Sequence, residues 1–204
     1  MKKIYQLLTI LISFTSFGQT AKEFVNNGKK KDKLENYQGA INDYTKAIKQ
    51  LPKFSNESVE IYYLRGKAKF QLQDYRGAYT DLTESIQTAP VYAEAYYLSA
   101  LSRVKLKEIG AISDLHHAIE LRPNYPEAHF LIGFLLDVQY KDYQNATIWY
   151  TKAIKLRPNY TEAYYMRGKA KINLNQKKSG CYDLSKAGEL GDKKASAEIK
   201  KYCN

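Results

Sequence analysis

Few residues in this sequence stand in patterns that catalyse reactions or bind metals. His116 and His117 are adjacent, so one face of a helix cannot hold both, and His129 takes a bulky core position in the next segment. The spacings of zinc proteases, paired CxxC sites, phosphate-binding loops and GxSxG nucleophiles do not occur. The sequence therefore predicts no catalytic residue, no metal site and no cofactor, and we expect that the protein is not an enzyme.

The first eighteen residues have the layout of a secretory signal peptide. Two lysines precede an uncharged, largely apolar run that ends at Phe17, and Ser16 and Gly18 supply small residues for cleavage. The run has about fourteen residues, fewer than the roughly 20 of a membrane-spanning helix, which disfavours the alternative of an uncleaved anchor. We predict a signal peptide over residues 1–18 and a mature chain over 19–204 without a membrane span, exported to the periplasm or secreted.

Positive charge lies at the two ends of the chain, whose formal net charge is +11. Residues 22–53 hold eight Lys/Arg against four Asp/Glu, residues 169–201 hold nine against four, and residues 54–168 hold thirteen of each. Nucleic-acid binding along phosphates needs a continuous basic stripe, so we expect no nucleic-acid partner. Binding of a polyanion, a nucleic acid or an anionic surface through the basic ends stays open as an alternative function.

Internal repeats organise the sequence between the leader and the C-terminus. The segment Tyr44-Thr-Lys-Ala-Ile-Lys recurs at Tyr150, and Tyr62-Tyr-Leu-Arg-Gly-Lys-Ala-Lys recurs at Tyr164 with one change. Such self-similarity at a near-constant interval is typical of repeat architectures. Alignment of these repeated segments gives five units, which cover residues 21–54, 59–92, 93–125, 126–160 and 161–192.

Each unit has the pattern of two amphipathic helices. The first helix carries a bulky and a small residue at i and i+4: Phe24 and Gly28, Tyr62 and Gly66, Tyr96 and Ala100, His129 and Gly133, Tyr164 and Gly168. The second carries a small, a bulky and a small residue: Ala40, Tyr44, Ala47; Ala78, Leu82, Ser85; Ala111, Leu115, Ala118; Ala146, Tyr150, Ala153; Gly180, Leu184, Ala187. The small residues predict close packing between the paired helices.

With about 34 residues per unit and this pattern, the sequence resembles the tetratricopeptide repeat family over residues 21–192. The resemblance implies an all-α fold, an α-solenoid of five helix-turn-helix repeats. The sequence departs from the family pattern at an insertion, Ser55 to Ser58, and at Gly180, which replaces the usual alanine. These departures affect the expected turn geometry and leave the expected fold unchanged.

Residues 193–202 predict a C-terminal capping helix, which covers the apolar face of a last repeat. If this helix folds back near Gly191, Cys181 and Cys203 lie side by side. Oxidising compartments permit disulfides, so we predict one between these cysteines in an exported protein. The alternative is two buried thiols.

In tetratricopeptide proteins the first helices line a concave groove that holds a peptide or a partner segment, so the resemblance implies a groove here. The groove positions follow the core positions on each first helix: Val25, Lys29, Tyr63, Lys67, Tyr97, Leu101, Phe130, Phe134, Tyr165 and Lys169. Aromatic rings offer apolar contact and lysines attract carboxylates, which predicts an extended and acidic partner segment. The alternative is that these aromatic residues serve packing alone.

The pattern departs from the carboxylate-clamp members of the family. Those members have asparagine where Lys29, Lys67 and Lys169 stand, so their specificity does not transfer to this chain. The sequence therefore predicts an exported, non-enzymatic protein-interaction scaffold with its own groove chemistry.

Overall fold

The structure is a computed structural model that describes residues 20–52 and 55–203. The predicted signal peptide lies outside the described residues. The described residues form helices and no strands, as the sequence predicts. The helices are α1 (20–33), α2 (Tyr37–Lys49), α3 (Asn56–Gln71), α4 (Tyr75–Thr88), α5 (Ala93–Leu106), α6 (Ala111–Leu121), α7 (Pro126–Val138), α8 (Tyr143–Leu156), α9 (Thr161–Asn173), α10 (Lys177–Glu189) and α11 (Ala195–Tyr202).

The described residues divide into two compact units, one ending at Asp114 and the other beginning at Leu115. In the first, α2, α3, α4 and α5 pack consecutively, and the first helices α3 and α5 also touch. In the second, α7, α8, α9, α10 and α11 pack consecutively, and the first helices α7 and α9 also touch. Each unit therefore has the consecutive helix-turn-helix pairs of a tetratricopeptide α-solenoid.

A left-handed residue ends the first helix of each repeat and reverses the chain. These residues are Glu35, Gln73, Lys107, Lys141 and Asn175, with φ between 54° and 62°. In three repeats the next residue caps the second helix: Asn36, Asp74 and Asp142 accept hydrogen bonds from the backbone N–H groups of Gly39, Gly77 and Asn145. The polar residues at these turns thus satisfy backbone donors that a helix start leaves without a partner.

The stretch from Ser55 to Ser58, which the sequence presents as an insertion between repeats, begins α3. Ser55 is the N-cap of α3, and its side chain accepts a hydrogen bond of 3.2 Å from the backbone N–H of Ser58. Ser58 is buried. The extra residues therefore lengthen the first helix of the second repeat by about one turn, because the Ser55 N-cap favours a helix start at this point.

The small residues of the first helices are required by close packing. A Cβ on Gly28 would lie 2.5 Å from the ring of Tyr44, and one on Gly133 would lie 2.8 Å from the ring of Tyr150. Both tyrosines are fully buried. A glycine in a helix interior costs about 1 kcal/mol relative to alanine, and here the close packing offsets that cost.

Gly180 has a similar explanation. A Cβ at this position would lie 2.7 Å from the carbonyl oxygen of Gly168 and 2.7 Å from a side-chain carbon of Ile172. Helices α9 and α10 thus approach more closely than an alanine at residue 180 allows. The departure from the family pattern at this position follows from the packing of the fifth repeat.

Candidate protein-binding surface

The predicted groove positions lie on the first helices, and all of them are half-buried. Helices α1, α3 and α5 of the first unit carry Val25, Lys29, Tyr63, Lys67, Tyr97 and Leu101. Helices α7 and α9 of the second unit carry Phe130, Phe134, Tyr165 and Lys169. Each helix therefore holds its pair one turn apart, at the i and i+4 spacing that places two side chains on one face.

In the first unit, the aromatic positions have packing partners. The ring of Tyr63 stacks on that of Tyr92 with centroids 5.8 Å apart and an interplanar angle of 7°. Val25 packs against the core around Tyr44. Tyr63 thus presents a flat surface that its neighbour already orients, which reduces the side-chain entropy lost on binding a partner.

The two lysines of the first unit differ in their electrostatic partners. Lys29 Nζ lies 2.7 Å from a carboxylate oxygen of Glu60, which projects from the next first helix, α3. Lys67 forms no ion pair with any described residue. The sequence placed these lysines in equivalent positions, and the structure makes only one of them a cation without a counter-charge.

The phenylalanines of the second unit are part of its packing. Phe130 contacts the rings of Tyr150 and Tyr160 at centroid distances of 5.6 and 5.0 Å, and that of Phe134 at 6.4 Å. Both phenylalanines pack against the buried side chains around Tyr150. Packing is therefore a principal role of these two residues, and only the exposed part of each ring can contact a partner.

Glu198 of α11 faces the groove positions of the fifth repeat. The hydroxyl of Tyr165 donates to Glu198 Oε1 at 3.5 Å, and Lys169 Nζ lies 4.0 Å from the same oxygen. The Lys169 ammonium is also 5.4 Å from the centre of the Tyr165 ring. Burial raises the pKa of Tyr165, so its hydroxyl remains a donor. Sequence reasoning missed Glu198, because no pattern within residues 193–202 indicates which side of α11 faces α9.

The structure joins Cys181 and Cys203 in a disulfide, with Cα atoms 5.7 Å apart. The bond links α10 to the residue that follows α11. Within α11 only Ala195 is buried, and eight residues are too few for a stable isolated helix. The disulfide therefore holds in place the helix that brings Glu198 to Lys169.

Sequence reasoning also missed two ion networks inside the repeats. In the second repeat, Arg65 donates from Nε and Nη2 to the carboxylate of Asp81 at 2.8 and 2.7 Å, and Lys69 lies 2.8 Å from it. Arg65 Nη1 donates to Thr45 on α2 at 3.1 Å, which links adjacent repeats. The sequence does contain a pattern that could have indicated both networks. Each copy of the segment Arg-Gly-Lys-Ala-Lys is followed by an aspartate that directly precedes the core leucine of the second helix.

The fifth repeat contains the same network. Arg167 donates to Asp183 at 2.8 and 2.7 Å and to Thr151 at 3.0 Å, and Lys171 lies 2.7 Å from Asp183. Asp183 has no exposed surface. Two cations and a buried carboxylate form a bidentate, charge-assisted arrangement that links α9 to α10, and removal of one partner would leave a buried charge without compensation.

The fourth repeat has Trp149 at the position of these aspartates. The indole contacts the rings of His116 and His129 at centroid distances of 5.4 and 5.5 Å, and Lys152 Nζ lies 3.8 Å from the centre of the Trp149 ring. His129 Nε2 is 3.1 Å from the carbonyl oxygen of Pro123, and burial lowers the pKa of His129. Both histidines therefore pack against the indole of Trp149, which is a structural role.

The described residues contain no group of three or more His, Cys, Asp or Glu side chains that could hold a metal ion. A shallow depression of about 320 Å³ lies away from the groove positions, on α8 and α9, and is lined by Thr147, Ile148, Thr151, Lys152, Lys155 and Lys171. The hydroxyls of both threonines donate to backbone carbonyls, and Lys171 pairs with Asp183.

In the described part of the chain, no helix has the length and apolarity needed to cross a membrane.

Comparison with known proteins identifies the repeat. Residues 126–160 match the family model described as a tetratricopeptide repeat. The crystal structure of MamA protein is similar to this chain, with 27% sequence identity and a TM-score of 0.76. The alignment covers 88% of this chain and 96% of the MamA chain. No curated protein matches the chain.

Two further solved structures share the fold. MamA from Desulfovibrio magneticus RS-1, from residue 41 to its end, is 20% identical over 85% of this chain and 96% of its own, with a TM-score of 0.76. YrrB, described as a TPR protein with an unusual peptide-binding site, is 20% identical over 95% of this chain and 97% of its own, with a TM-score of 0.76. Residues 126–160 are therefore a tetratricopeptide repeat, and the described helix pairs of the chain have the fold of these tetratricopeptide solenoids.

Proposed function

We propose that this protein is an exported, non-enzymatic scaffold that binds an extended partner segment on the first helices of its repeats. The observation that carries the proposal is the chemistry of those helices, where half-buried aromatic rings recur and, in the second repeat, Tyr63 lies one turn from Lys67. Aromatic rings give contact area at a small entropy cost, and ammonium groups attract carboxylates. The partner is therefore a protein or peptide segment with acidic residues.

The fold supports a role in protein interaction. Tetratricopeptide repeat proteins bind protein or peptide partners and are generally non-enzymatic, and YrrB is described as having a peptide-binding site. Stacked repeats form an extended surface because each repeat contacts only its neighbours. Within each unit, neighbouring first helices touch, so a partner segment can contact more than one of them and gain more area than one repeat offers.

Export is supported by two features of the chain. The residues before Gln19 have a basic start, an apolar run and small residues at a cleavage site. Disulfides such as Cys181–Cys203 are typical of oxidising compartments. N-terminal sequencing of the protein purified from its native host should give a start near Gln19 in an envelope or culture fraction. A chain that keeps Met1 and stays in the cytosol would contradict export.

The binding surface can be tested by replacing Tyr63, Tyr97 and Tyr165 together with alanine. Crosslinking in the native host followed by mass spectrometry should recover partners with the wild-type protein and lose them with this variant. Replacement of the exposed Tyr140 and Tyr182 with alanine is the matched control and should keep the partners. Circular dichroism spectra and melting curves must show that each variant is folded. Unchanged partners with the folded triple variant would refute the surface.

Exposed lysines on two second helices favour a second candidate, the binding of an anionic surface. Lys46 and Lys49 on α2 recur as Lys152 and Lys155 on α8, and all four are exposed. Sedimentation with anionic vesicles or cell-wall material should then fall steeply with added salt, because surface charges are screened. Partner binding through aromatic contacts should tolerate moderate salt. A salt-resistant partner that does not depend on these lysines would exclude this alternative.

A further inference from the structure

Three first helices carry a lysine at the same place, one residue after the small core residue. These lysines are Lys29, Lys67 and Lys169, which follow Gly28, Gly66 and Gly168. Each glycine faces the partner helix closely, so the next residue in each helix is rotated by the same angle away from that contact. The three ammonium groups therefore have the same relation to their own repeats, and only their neighbours can distinguish them.

The neighbouring helix supplies a carboxylate to two of these lysines. Glu60 of α3 lies 2.7 Å from Lys29, and Glu198 of α11 lies 4.0 Å from Lys169. The Lys169 pair is partly shielded, with 40% of the lysine side chain and 22% of the glutamate side chain exposed. A carboxylate already present reduces the attraction of these lysines for a second carboxylate from a partner.

Lys67 has no such neutralisation among the described residues. The residue of α5 that corresponds to Glu60 is Glu94, six positions before the small core residue, and no ion pair joins Lys67 to any described residue. Lys67 is half-buried and one helical turn beyond Tyr63, whose ring is fixed by stacking on Tyr92. The second repeat thus presents a cation without a counter-charge beside an oriented aromatic surface.

We propose that Lys67 receives a carboxylate of the partner segment, and that Lys29 and Lys169 do not. This inference rests on the proposed binding of a partner segment to the first helices, and it assigns the acidic contact to one repeat. The partner places an aspartate or glutamate on Lys67 and an apolar or aromatic group against Tyr63. The negative charge of this partner residue complements Lys67, which forms no ion pair with a carboxylate of the described residues.

The test is selection from a displayed library of random peptides, each about twelve residues long, on the purified disulfide-bonded protein. Wild-type protein should enrich peptides with an aspartate or glutamate at a fixed position. Lys67→Glu should weaken binding of those peptides roughly tenfold and select lysine or arginine at that position. Lys29→Glu and Lys169→Glu are the matched controls and should keep the acidic preference, with less than about twofold loss.

The outcomes separate this inference from the proposed function. If enriched peptides depend on Tyr63, tested with Tyr63→Ala, but show no acidic preference or keep it in Lys67→Glu, the assignment to Lys67 is wrong and groove binding stands. A loss of the preference in Lys29→Glu or Lys169→Glu with Lys67→Glu unaffected also overturns it. If no peptide is enriched, or Tyr63→Ala has no effect, both proposals fail. Matching melting temperatures exclude misfolding as the cause.

Discussion

The second and fifth repeats have nearly the same first helix but different surroundings at the groove. Residues 62–69 and 164–171 differ only where Leu64 is replaced by Met166. The internal ion network is the same in both, down to the hydrogen bond with a threonine of the preceding repeat. At the groove, Lys169 meets Glu198 whereas Lys67 meets no described carboxylate. One sequence motif thus forms the same internal ion network in both repeats, and the neighbouring helix decides whether its lysine meets a carboxylate.

The largest expected effect on stability comes from the ion network that the second and fifth repeats share. Asp81→Ala and Asp183→Ala should each lower the free energy of unfolding by about 3 kcal/mol, because each leaves two partly buried cations without their acceptor. Urea denaturation measures both values. The exposed ion-pair variant Glu189→Ala is the control and should change stability by less than about 0.5 kcal/mol. A difference above about 1 kcal/mol between the two aspartate variants would show that the networks are not equivalent.

Loss of the disulfide should leave Lys169 of the fifth repeat without a carboxylate partner, as Lys67 is in the second repeat. Replacement of Cys181 and Cys203 with serine removes a link across 22 residues and should lower stability by about 3 kcal/mol on the chain-entropy model. Hydrogen exchange of residues 195–202 should become faster, and Lys169 should lose its contact with Glu198. Wild-type protein treated with a thiol reductant should behave in the same way. Unchanged protection of α11 would mean that packing alone holds it.

The small residue on the second helix distinguishes the packing of the two repeats. Gly180→Ala should destabilise the fifth repeat by about 1 to 3 kcal/mol, since the new methyl group would collide with α9. The reciprocal variant Ala78→Gly in the second repeat should cost about 1 kcal/mol through helix propensity. Thermal unfolding monitored by circular dichroism measures both. A neutral Gly180→Ala would show that α9 and α10 can separate without cost.

The smallest effect on stability is expected for Glu198→Gln. The ion pair with Lys169 is half-exposed, so its loss should change stability by less than about 1 kcal/mol. If a neighbouring carboxylate is what distinguishes Lys169 from Lys67, this variant should give the fifth repeat its own preference for acidic peptides. Display selection on Lys67→Glu combined with Glu198→Gln measures it. A double variant without acidic preference would mean that Glu198 is not what distinguishes the two lysines.

The helices and their core contacts could be predicted from the sequence because they depend on spacing along one segment. The pairs Tyr62 with Gly66 and Tyr164 with Gly168 lie one turn apart, and their small members meet the second helix as expected. The start of α3 was not predicted, because Ser55 and Ser58 have no counterpart in the other repeats. Asp81 and Asp183 were not recognised as network centres, because their partners lie on another helix.

The sequence by itself determined the repeat length, the two helices of each repeat, the small residues at their contacts and the lysines that follow Gly28, Gly66 and Gly168. These features arise from helical periodicity and side-chain size, which act over a few residues. Only the tertiary structure decided which groove lysine meets a carboxylate. The distances from Lys29 to Glu60 and from Lys169 to Glu198 depend on how successive first helices and α11 are placed, and that placement results from packing between helices.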